Sequence, residues 1–181
     1  MDARPVLALI AAAESDATSV VLVGIGGHGG AGKTTLARRI PGAQIVSTDE
    51  FWDGTGFDLE RLSREVVTPL SHGMAADFAS YDWAEREHRG SRAIEPSGVV
   101  VVEGVCALHR MLRHAYAVRI WVEAPSDLRL ERGVARDGED ARTTWVDVWM
   151  PSEDRYVELD DPISSADVIV DGSESDTFER E

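Results

Sequence analysis

The chain has 181 residues, 43% of them hydrophobic, which suits one well-buried domain and is too short for two ordinary ones. With 18 Lys and Arg against 33 Asp and Glu, its formal net charge is -15, which argues against DNA, RNA or an anionic membrane as the main partner. The apolar stretch at residues 6–13 is shorter than the roughly 18 residues of a membrane-spanning helix. We therefore expect a cytoplasmic protein with one domain over residues 1–181 and a loose polar tail at residues 173–181.

Five runs rich in β-branched residues predict strands that are buried on both faces. These runs are Val20–Ile25, Ile45–Val46, Val99–Val102, Val118–Val122 and Val168–Val170. Helical spacing lies between them, for example at Leu59, Leu62, Val66 and Leu70. Because strands that alternate with helices form right-handed crossovers, we predict an α/β three-layer sandwich around a mainly parallel five-stranded sheet.

The glycine-rich segment after the first run fits two different motifs. Gly24, Gly26 and Gly29 have the spacing of a dinucleotide-binding fingerprint. Asp49 lies 20 residues beyond the last of them, where such sites place a ribose-binding acid. Residues 27–34 have the spacing GxxxxGKT of a P-loop, in which consecutive backbone N–H groups surround a polyphosphate at a helix N-terminus.

Lys33 favours the P-loop over the dinucleotide motif. It is the chain's only lysine, the other 17 basic residues being arginine. A compact ammonium fits beside phosphate oxygens in a tight loop, where a planar guanidinium does not. The expected ATP-binding residues are Gly27, His28, Gly29, Gly30, Ala31, Gly32, Lys33, Thr34 and Thr35. Thr34 would supply a hydroxyl to Mg²⁺, and His28, at a variable position of the motif, is interpreted as a loop-surface residue.

Two carboxylates follow predicted strands directly. Asp49 comes after the second run and Glu103 after the third, and ligands of open parallel sheets bind at the carboxyl ends of strands. Asp49 is the candidate base for an acceptor hydroxyl and also a candidate Mg²⁺ ligand, and Glu103 would orient Mg²⁺ together with Thr34. Glu50 can share either role. An acid that merely caps the next turn is the alternative at both positions.

A predicted helix over residues 126–137 carries arginines on one face. Arg129, Arg132 and Arg136 fall at positions i, i+3 and i+7 of this segment. We expect residues 126–145 to form a helical lid that closes over the phosphates and expels water. The alternative is a set of exposed arginines that pair with neighbouring acids.

The ends of the lid helices also have sequence signals. Ser126 is the expected N-cap of the first helix, and the turn at residues 137–140 can act as a hinge. Thr144 and Asp147 have the spacing of a capping pair that opens the next helix. Pro151 is expected to kink or divide that helix, because proline lacks a backbone N–H.

Residues 50–95 are the expected acceptor side. Aromatic side chains are interleaved there with polar ones, which suits a flat or ring-shaped substrate that carries hydroxyl groups. Each aromatic residue taken alone is more typical of a core, and the clustering is what favours a binding site. The candidate substrate-binding residues are Asp49, Trp52, Tyr81, Asp82, Trp83 and Arg89.

In their order along the chain, these segments resemble the uridine kinase-like branch of the P-loop kinases, which also includes phosphoribulokinase, pantothenate kinase and nicotinamide riboside kinase. The resemblance spans residues 20–172 and rests on the P-loop, STDEFW at 47–52, YDW at 81–83, VVVVEG at 99–104 and RGVARD at 132–137. It implies a five-stranded parallel core, ATP and Mg²⁺, with Asp49 as catalytic acid/base and Arg132 and Arg136 on the phosphates. Tyr81 and Asp82 resemble the family's hairpin on the nucleoside side.

We accordingly expect an ATP-dependent kinase that phosphorylates a hydroxyl of a small molecule, a nucleoside such as uridine or cytidine, with Lys33, Asp49, Arg132 and Arg136 as catalytic residues. The alternatives are a kinase of ribosylnicotinamide, pantothenate or a sugar phosphate, a regulatory ATPase without a small acceptor, and a dinucleotide-dependent oxidoreductase. The family's paired aspartates read Asp49-Glu50 here, which leaves the acceptor open. We expect no nucleic-acid or membrane partner, and a homodimer is left open.

Overall fold

A five-stranded parallel sheet forms the centre of the computed structural model, which describes residues 1–16 and 20–173. The described strands are β1 (Val20–Gly27), β2 (Gln44–Ser47), β3 (Ala76–Asp82), β4 (Glu87–Ile94), β5 (Gly98–Glu103), β6 (Val118–Glu123) and β7 (Val168–Asp171). The sheet has the order β2-β5-β1-β6-β7, and all of its neighbouring pairs are parallel. Each of the five predicted runs lies in one of these strands, and the predicted α/β fold is confirmed.

Helices cover both faces of this sheet. They are α1 (Arg4–Asp16), α2 (Lys33–Ala37), α3 (Leu59–Leu62), α4 (Thr68–Ser71), α5 (Ser126–Asp137), α6 (Arg142–Thr144) and α7 (Met150–Asp160). A π-helical segment joins α3 to α4 at Ser63–Val67, and a second joins α6 to α7 at Trp145–Trp149. Short 3-10 turns lie at Thr48–Phe51, Arg113–Ala115 and Glu139–Ala141.

The alternation of side chains between the two faces of the sheet explains why the strand segments of the sequence are continuously apolar. Val21 and Val23 of β1 pack on one face of the sheet with Val6 of α1. Leu22, between them, packs on the other face with Leu62 of α3. Since successive side chains of a strand point to opposite faces, a strand covered on both sides must be apolar at every position. The described helices and sheet thus form the three predicted layers.

Strand order also separates the two glycine motifs. β1 pairs with β5 and β6, so that β5 lies between β1 and β2. In a dinucleotide-binding Rossmann half, the first two strands are neighbours. The inserted strand therefore argues against the dinucleotide fingerprint and agrees with the P-loop interpretation.

Some predicted helix ends are wrong. Ser126 is the first residue of α5, and Pro125 holds the N-cap position. Thr144 does not open a helix, because its backbone is already helical and its side chain makes no capping hydrogen bond. Pro151 lies in the first turn of α7, directly after a π-helical segment, where the spacing of the helix changes as expected for a residue without an N–H. The helix at Arg4–Asp16 was not predicted.

Outside the main sheet, β3 and β4 form an antiparallel hairpin. Its pairs include Tyr81 with His88 and Asp82 with Glu87, so the candidates of residues 81–89 are carried by a unit of their own, apart from Asp49 and Trp52. The expected loose tail lies outside the described residues from position 174 onward. Among the helices of residues 1–16 and 20–173, none has the length and apolar content needed to span a bilayer.

Candidate active site

The loop between β1 and α2 has a backbone that depends on glycine. Gly32 immediately precedes α2 and has φ 105°, in the left-handed region that side-chain-bearing residues rarely adopt. Gly27 ends β1 with φ 147°, and a Cβ there would lie 2.4 Å from the backbone oxygen of Val122. The chain therefore turns tightly from the sheet into the helix, as a phosphate-binding loop requires.

Lys33 is held inside this loop. The residue is 8% exposed, and its Nζ donates a hydrogen bond to the carbonyl oxygen of His28 at 2.8 Å. Burial lowers the pKa of Lys33, and the carboxylates of Glu103, Glu153 and Asp49 oppose that shift. The ammonium thus has acidic neighbours that offset the charge of a desolvated cation.

Thr34 and Glu103 meet at the ends of β1 and β5. Register pairs Glu103 with Ile25 on one side and with Ser47 on the other, so three strand ends converge. The Thr34 hydroxyl donates to Oε1 of Glu103 at 3.2 Å. Burial raises the pKa of Glu103, and Lys33 is the main influence that lowers it.

These oxygens fit the preferences of Mg²⁺. A hydroxyl and a carboxylate are hard ligands of the kind that Mg²⁺ selects, and Mg²⁺ usually completes its shell with water and substrate phosphates. No group of three or more His, Cys, Asp or Glu among the described residues is arranged to hold a metal ion. Thr34 and Glu103 therefore fit an ion that is shared with a bound nucleotide.

Asp49 lies in the 3-10 turn after β2. Ser47 caps this turn by accepting a hydrogen bond from the Asp49 N–H at 3.3 Å. Asp49 is exposed to solvent, yet protein atoms also lie close around its carboxylate. This surrounding protein raises its pKa, whereas the positive charges of Lys33 and Arg136 lower it. The Asp49 carboxylate is thus influenced by one cation of the loop and one of α5.

Glu50, next in the chain, has its carboxylate engaged elsewhere. It accepts hydrogen bonds from the Ser47 N–H at 3.0 Å, from the Ser80 hydroxyl at 2.6 Å, and from Arg92. Arg92 also donates to the backbone oxygen of Ile45. These bonds join the end of β2 to both strands of the hairpin. The Glu50 carboxylate is therefore hydrogen-bonded within the protein, whereas the adjacent Asp49 is exposed.

The three arginines of α5 differ in environment. Arg129 is 6% exposed. Arg132 donates to backbone oxygens of Gly30 at 3.3 Å and of Gly172 at 2.8 Å. Arg136 is exposed and pairs with Asp137 at 2.7 Å. Helices are present over the predicted lid segment, but the three arginines of α5 do not form one free cationic face.

Aromatic residues of the acceptor side do come together. Trp52 lies 5.4 Å from Phe57 and 5.7 Å from Trp83, and Tyr81 lies 5.1 Å from Trp83 and 5.3 Å from His88, measured between ring centroids. Trp83 is 58% exposed. We call these five residues the aromatic cluster.

The two polar candidates of the hairpin are engaged locally. Asp82 accepts hydrogen bonds from the N–H groups of Ala84 and Glu85 at 2.9 and 3.1 Å, which shapes the hairpin turn. Arg89 is exposed and pairs with Glu87 at 3.0 Å. The structure therefore groups the aromatic candidates and gives Asp82 and Arg89 partners within the hairpin.

Sequence reasoning missed two contacts of the loop with α7. Glu153 accepts a hydrogen bond from the Gly29 N–H at 2.9 Å, and Asp154 lies 3.2 Å from Nε2 of His28. The His28 side chain is only 15% exposed and meets Trp121 edge-on, so its interpretation as a loop-surface residue is wrong. Burial lowers the pKa of His28 to about 4. No motif in the sequence marks either acid.

Comparison with known proteins identifies relatives of this chain. A family model described as "Phosphoribulokinase / Uridine kinase family" matches residues 43–177, a segment that begins after the P-loop and is thus independent of it. Uridine-cytidine kinase C of Dictyostelium discoideum is 27% identical over 136 residues, covering 66% of this chain and 30% of that protein. Inorganic pyrophosphatase TTM2 of Arabidopsis thaliana is 29% identical over 134 residues, covering 65% and 20%.

A solved structure described as a possible uridine kinase from Bacillus stearothermophilus has the same fold. The TM-score is 0.66 at 18% sequence identity, and the superposition covers 92% of this chain and 100% of that chain. The chain spans less than a third of the length of either curated relative above. The family model, in contrast, matches most of the 181 residues, and the chain therefore belongs to the phosphoribulokinase/uridine kinase family.

Proposed function

We propose that this chain is an ATP-dependent kinase that transfers the γ-phosphoryl group of ATP to a hydroxyl group of a small molecule. The observation that carries the proposal is the convergence of Lys33, the Thr34–Glu103 pair and Asp49 at the carboxyl ends of β1, β5 and β2. Family membership supports it, because the family model is named for two kinases.

The donor half of the site would hold the nucleotide. The backbone amides of residues 27–35, apart from the Gly29 amide that bonds to Glu153, would surround the phosphates, with the Lys33 ammonium beside the terminal ones. Thr34 and Glu103, with Asp49 close by, would hold Mg²⁺. When bound, this ion neutralises negative charge on the phosphate oxygens.

Asp49 would prepare the acceptor. The acceptor hydroxyl oxygen bonds to the γ-phosphorus, the bond from that phosphorus to the β,γ-bridging oxygen breaks, and ADP leaves. The proton of the hydroxyl passes to Asp49, whose neighbour Glu50 is occupied by the hairpin. The exposed position of Asp49 leaves room for an acceptor hydroxyl within reach of its carboxylate.

The lid would supply positive charge to the transferred group. The positive charge of Arg136 lowers the pKa of both Asp49 and Lys33. Its guanidinium would turn from Asp137 toward the phosphates. Arg132 would reach them by exchanging the backbone oxygens of Gly30 and Gly172 for phosphate oxygens. Closure of such a lid concentrates charge and expels water at the moment of transfer.

A nucleoside of the uridine or cytidine type is the proposed acceptor. The aromatic cluster offers ring faces on which a flat base can stack. The name of the Dictyostelium relative supports a pyrimidine nucleoside. Asp82 and Arg89 would contact the acceptor only by exchanging their present partners in the hairpin.

A panel of acceptors tests the proposal. Nucleosides, pantothenate, ribosylnicotinamide and sugar phosphates are each added to the protein with ATP and Mg²⁺, and ADP release is measured. We expect release that depends on one class of acceptor, with uridine and cytidine the strongest. Release of ADP at one rate with every acceptor, and with none, would instead support the regulatory ATPase alternative.

A further inference from the structure

The P-loop has a second set of contacts, on the side that faces the lid. Glu153 of α7 accepts a hydrogen bond from the Gly29 N–H at 2.9 Å across 124 residues of chain. The residue is only 8% exposed. A buried carboxylate normally loses free energy of hydration, so its placement against one backbone amide of the loop calls for a role.

Close packing keeps this carboxylate in place. A Cβ on Gly29 would lie 2.7 Å from Oε1 of Glu153 and 2.7 Å from a ring carbon of Trp145, closer than real Cβ contacts. A Cβ on Gly30 would lie 2.4 Å from the backbone oxygen of Arg129. The glycines at these two variable positions of the motif thus allow α5 and α7 to approach the loop.

Charge alone does not fix the position of Glu153. Nη1 of Arg129 lies 3.8 Å from its Oε2, which is beyond hydrogen-bonding distance. In the described part of the chain, Nε and Nη1 of Arg129 have no hydrogen-bond partner. Arg129 and Glu153 therefore attract each other without a hydrogen bond. The hydrogen bond from the Gly29 N–H fixes the position of the Glu153 carboxylate.

We propose that Glu153 is a positioning residue for nucleotide binding, which holds the Gly29 amide and thereby keeps the P-loop in the shape that receives phosphates. The inference rests on the proposed function, since it requires that the loop binds a nucleotide. Without this bond the loop must become ordered when the nucleotide arrives, and the entropy lost in ordering weakens binding. Glu153 acts through the backbone and does not touch the reacting atoms.

Two substitutions at Glu153 separate the effect of side-chain length from the effect of charge. Glu153→Gln keeps an oxygen at the same reach and removes the charge, whereas Glu153→Asp keeps the charge and shortens the side chain by one methylene. We expect Kd for ADP with Mg²⁺, measured by titration calorimetry, to rise about tenfold in Glu153→Asp and less than about threefold in Glu153→Gln. Matched controls are the same two substitutions at Glu158, an exposed residue of α7 that pairs with Arg155, and both should bind ADP as the wild type does.

Steady-state kinetics give a second readout. In Glu153→Asp, we expect KM for ATP to rise while KM for the acceptor stays unchanged. An equal loss of ADP affinity in both Glu153 variants, or a larger loss in Glu153→Gln, would overturn the proposal, because the charge would then matter more than the hydrogen bond.

A third measurement does not depend on a variant that folds. In the nucleotide-free wild type, hydrogen exchange at the Gly29 amide should be slow compared with Gly54, which lies in an open turn. Fast exchange at Gly29 would overturn the proposal. A wild type that does not bind ADP would overturn the proposed function itself, so the two failures are distinguishable.

Discussion

The donor half and the acceptor half of the candidate site are built in different ways. On the donor side, Lys33 and Glu103 are buried, and the loop and strand ends that carry them belong to the main sheet. On the acceptor side, Trp83 is 58% exposed and the hairpin that carries it pairs with no strand of that sheet. The donor side therefore holds its charged side chains within the protein, whereas the acceptor side exposes aromatic rings to solvent.

A cluster of hydrogen bonds around Glu50 joins the two regions. Glu50 accepts from Ser47 at the end of β2, from Ser80 on β3 and from Arg92 on β4. These bonds hold the hairpin against the end of β2, next to the turn that carries Asp49. Under the proposed function, the phosphate-binding groups and the acceptor-side hairpin are separate units, so a substitution in one is expected to leave the other intact.

The largest effect is expected from Asp49→Asn. Removing a general base costs about 10²–10⁴ in kcat, while the affinity for ATP should stay within about threefold, since the amide keeps the size of the side chain. Single-turnover transfer and ADP titration measure the two quantities. Loss of nucleotide affinity with little loss of transfer would show that Asp49 is a metal ligand and not a base.

The pH dependence of the wild type tests the same residue. Protein around Asp49 raises its pKa above the ordinary 3.8, and the base must be unprotonated to accept a proton. We therefore expect kcat/KM to fall as pH falls through that raised pKa, with the midpoint of the acid limb above 3.8. A rate profile at pH values where the fold is intact measures it, and an acid limb that persists in Asp49→Asn contradicts the assignment.

Lys33→Ala should cost about 10²–10³ in kcat, by analogy with the loss of one preorganised charge donor. The ammonium is buried beside His28, and no other lysine in the chain can replace it. Lys33→Arg is the matched variant, because it keeps the charge and changes only the shape of the cation. Turnover close to that of the wild type in Lys33→Ala would overturn the role of Lys33 in the donor half of the site.

Glu50→Gln should affect the acceptor half alone. It weakens charge-assisted hydrogen bonds at Ser80 and Arg92, and we expect a loss of about 1–3 kcal/mol in the free energy of unfolding. KM for the acceptor should rise, with Kd for ADP unchanged. Thermal unfolding and titration give both values, and a parallel loss of ADP affinity would show that the two regions are not separable.

The smallest effect is expected from Trp83→Ala. The exposed ring contributes stacking of about 1 kcal/mol, so KM for a nucleoside should rise roughly fivefold without change in ADP binding. Leu159→Ala is a control, since Leu159 is a similarly exposed residue at 59% on α7, away from the cluster. An unchanged KM in Trp83→Ala would show that the nucleobase of the acceptor does not stack on this ring.

The sequence predicts the donor half better than the acceptor half, for physical reasons. A P-loop needs glycine, lysine and threonine at fixed spacing, and strands covered on both faces need continuous apolar runs, so both leave local patterns. The roles of Glu50 and Glu153 leave none, because each depends on contacts between segments far apart in the chain. The spacing predicts Arg129 on one helical face with Arg132 and Arg136, whereas its burial beside Glu153 of α7 depends on a contact between segments that no local signal gives.

Following the γ-phosphoryl group itself is the most direct test of the account. The protein is incubated with ATP labelled at the γ-phosphorus, Mg²⁺ and each acceptor of the panel, and the products are separated. We expect the label on a nucleoside, in amounts that match the ADP formed and that disappear in Lys33→Ala. Label that appears only as inorganic phosphate across the whole panel, at one rate with and without acceptor, would contradict the account.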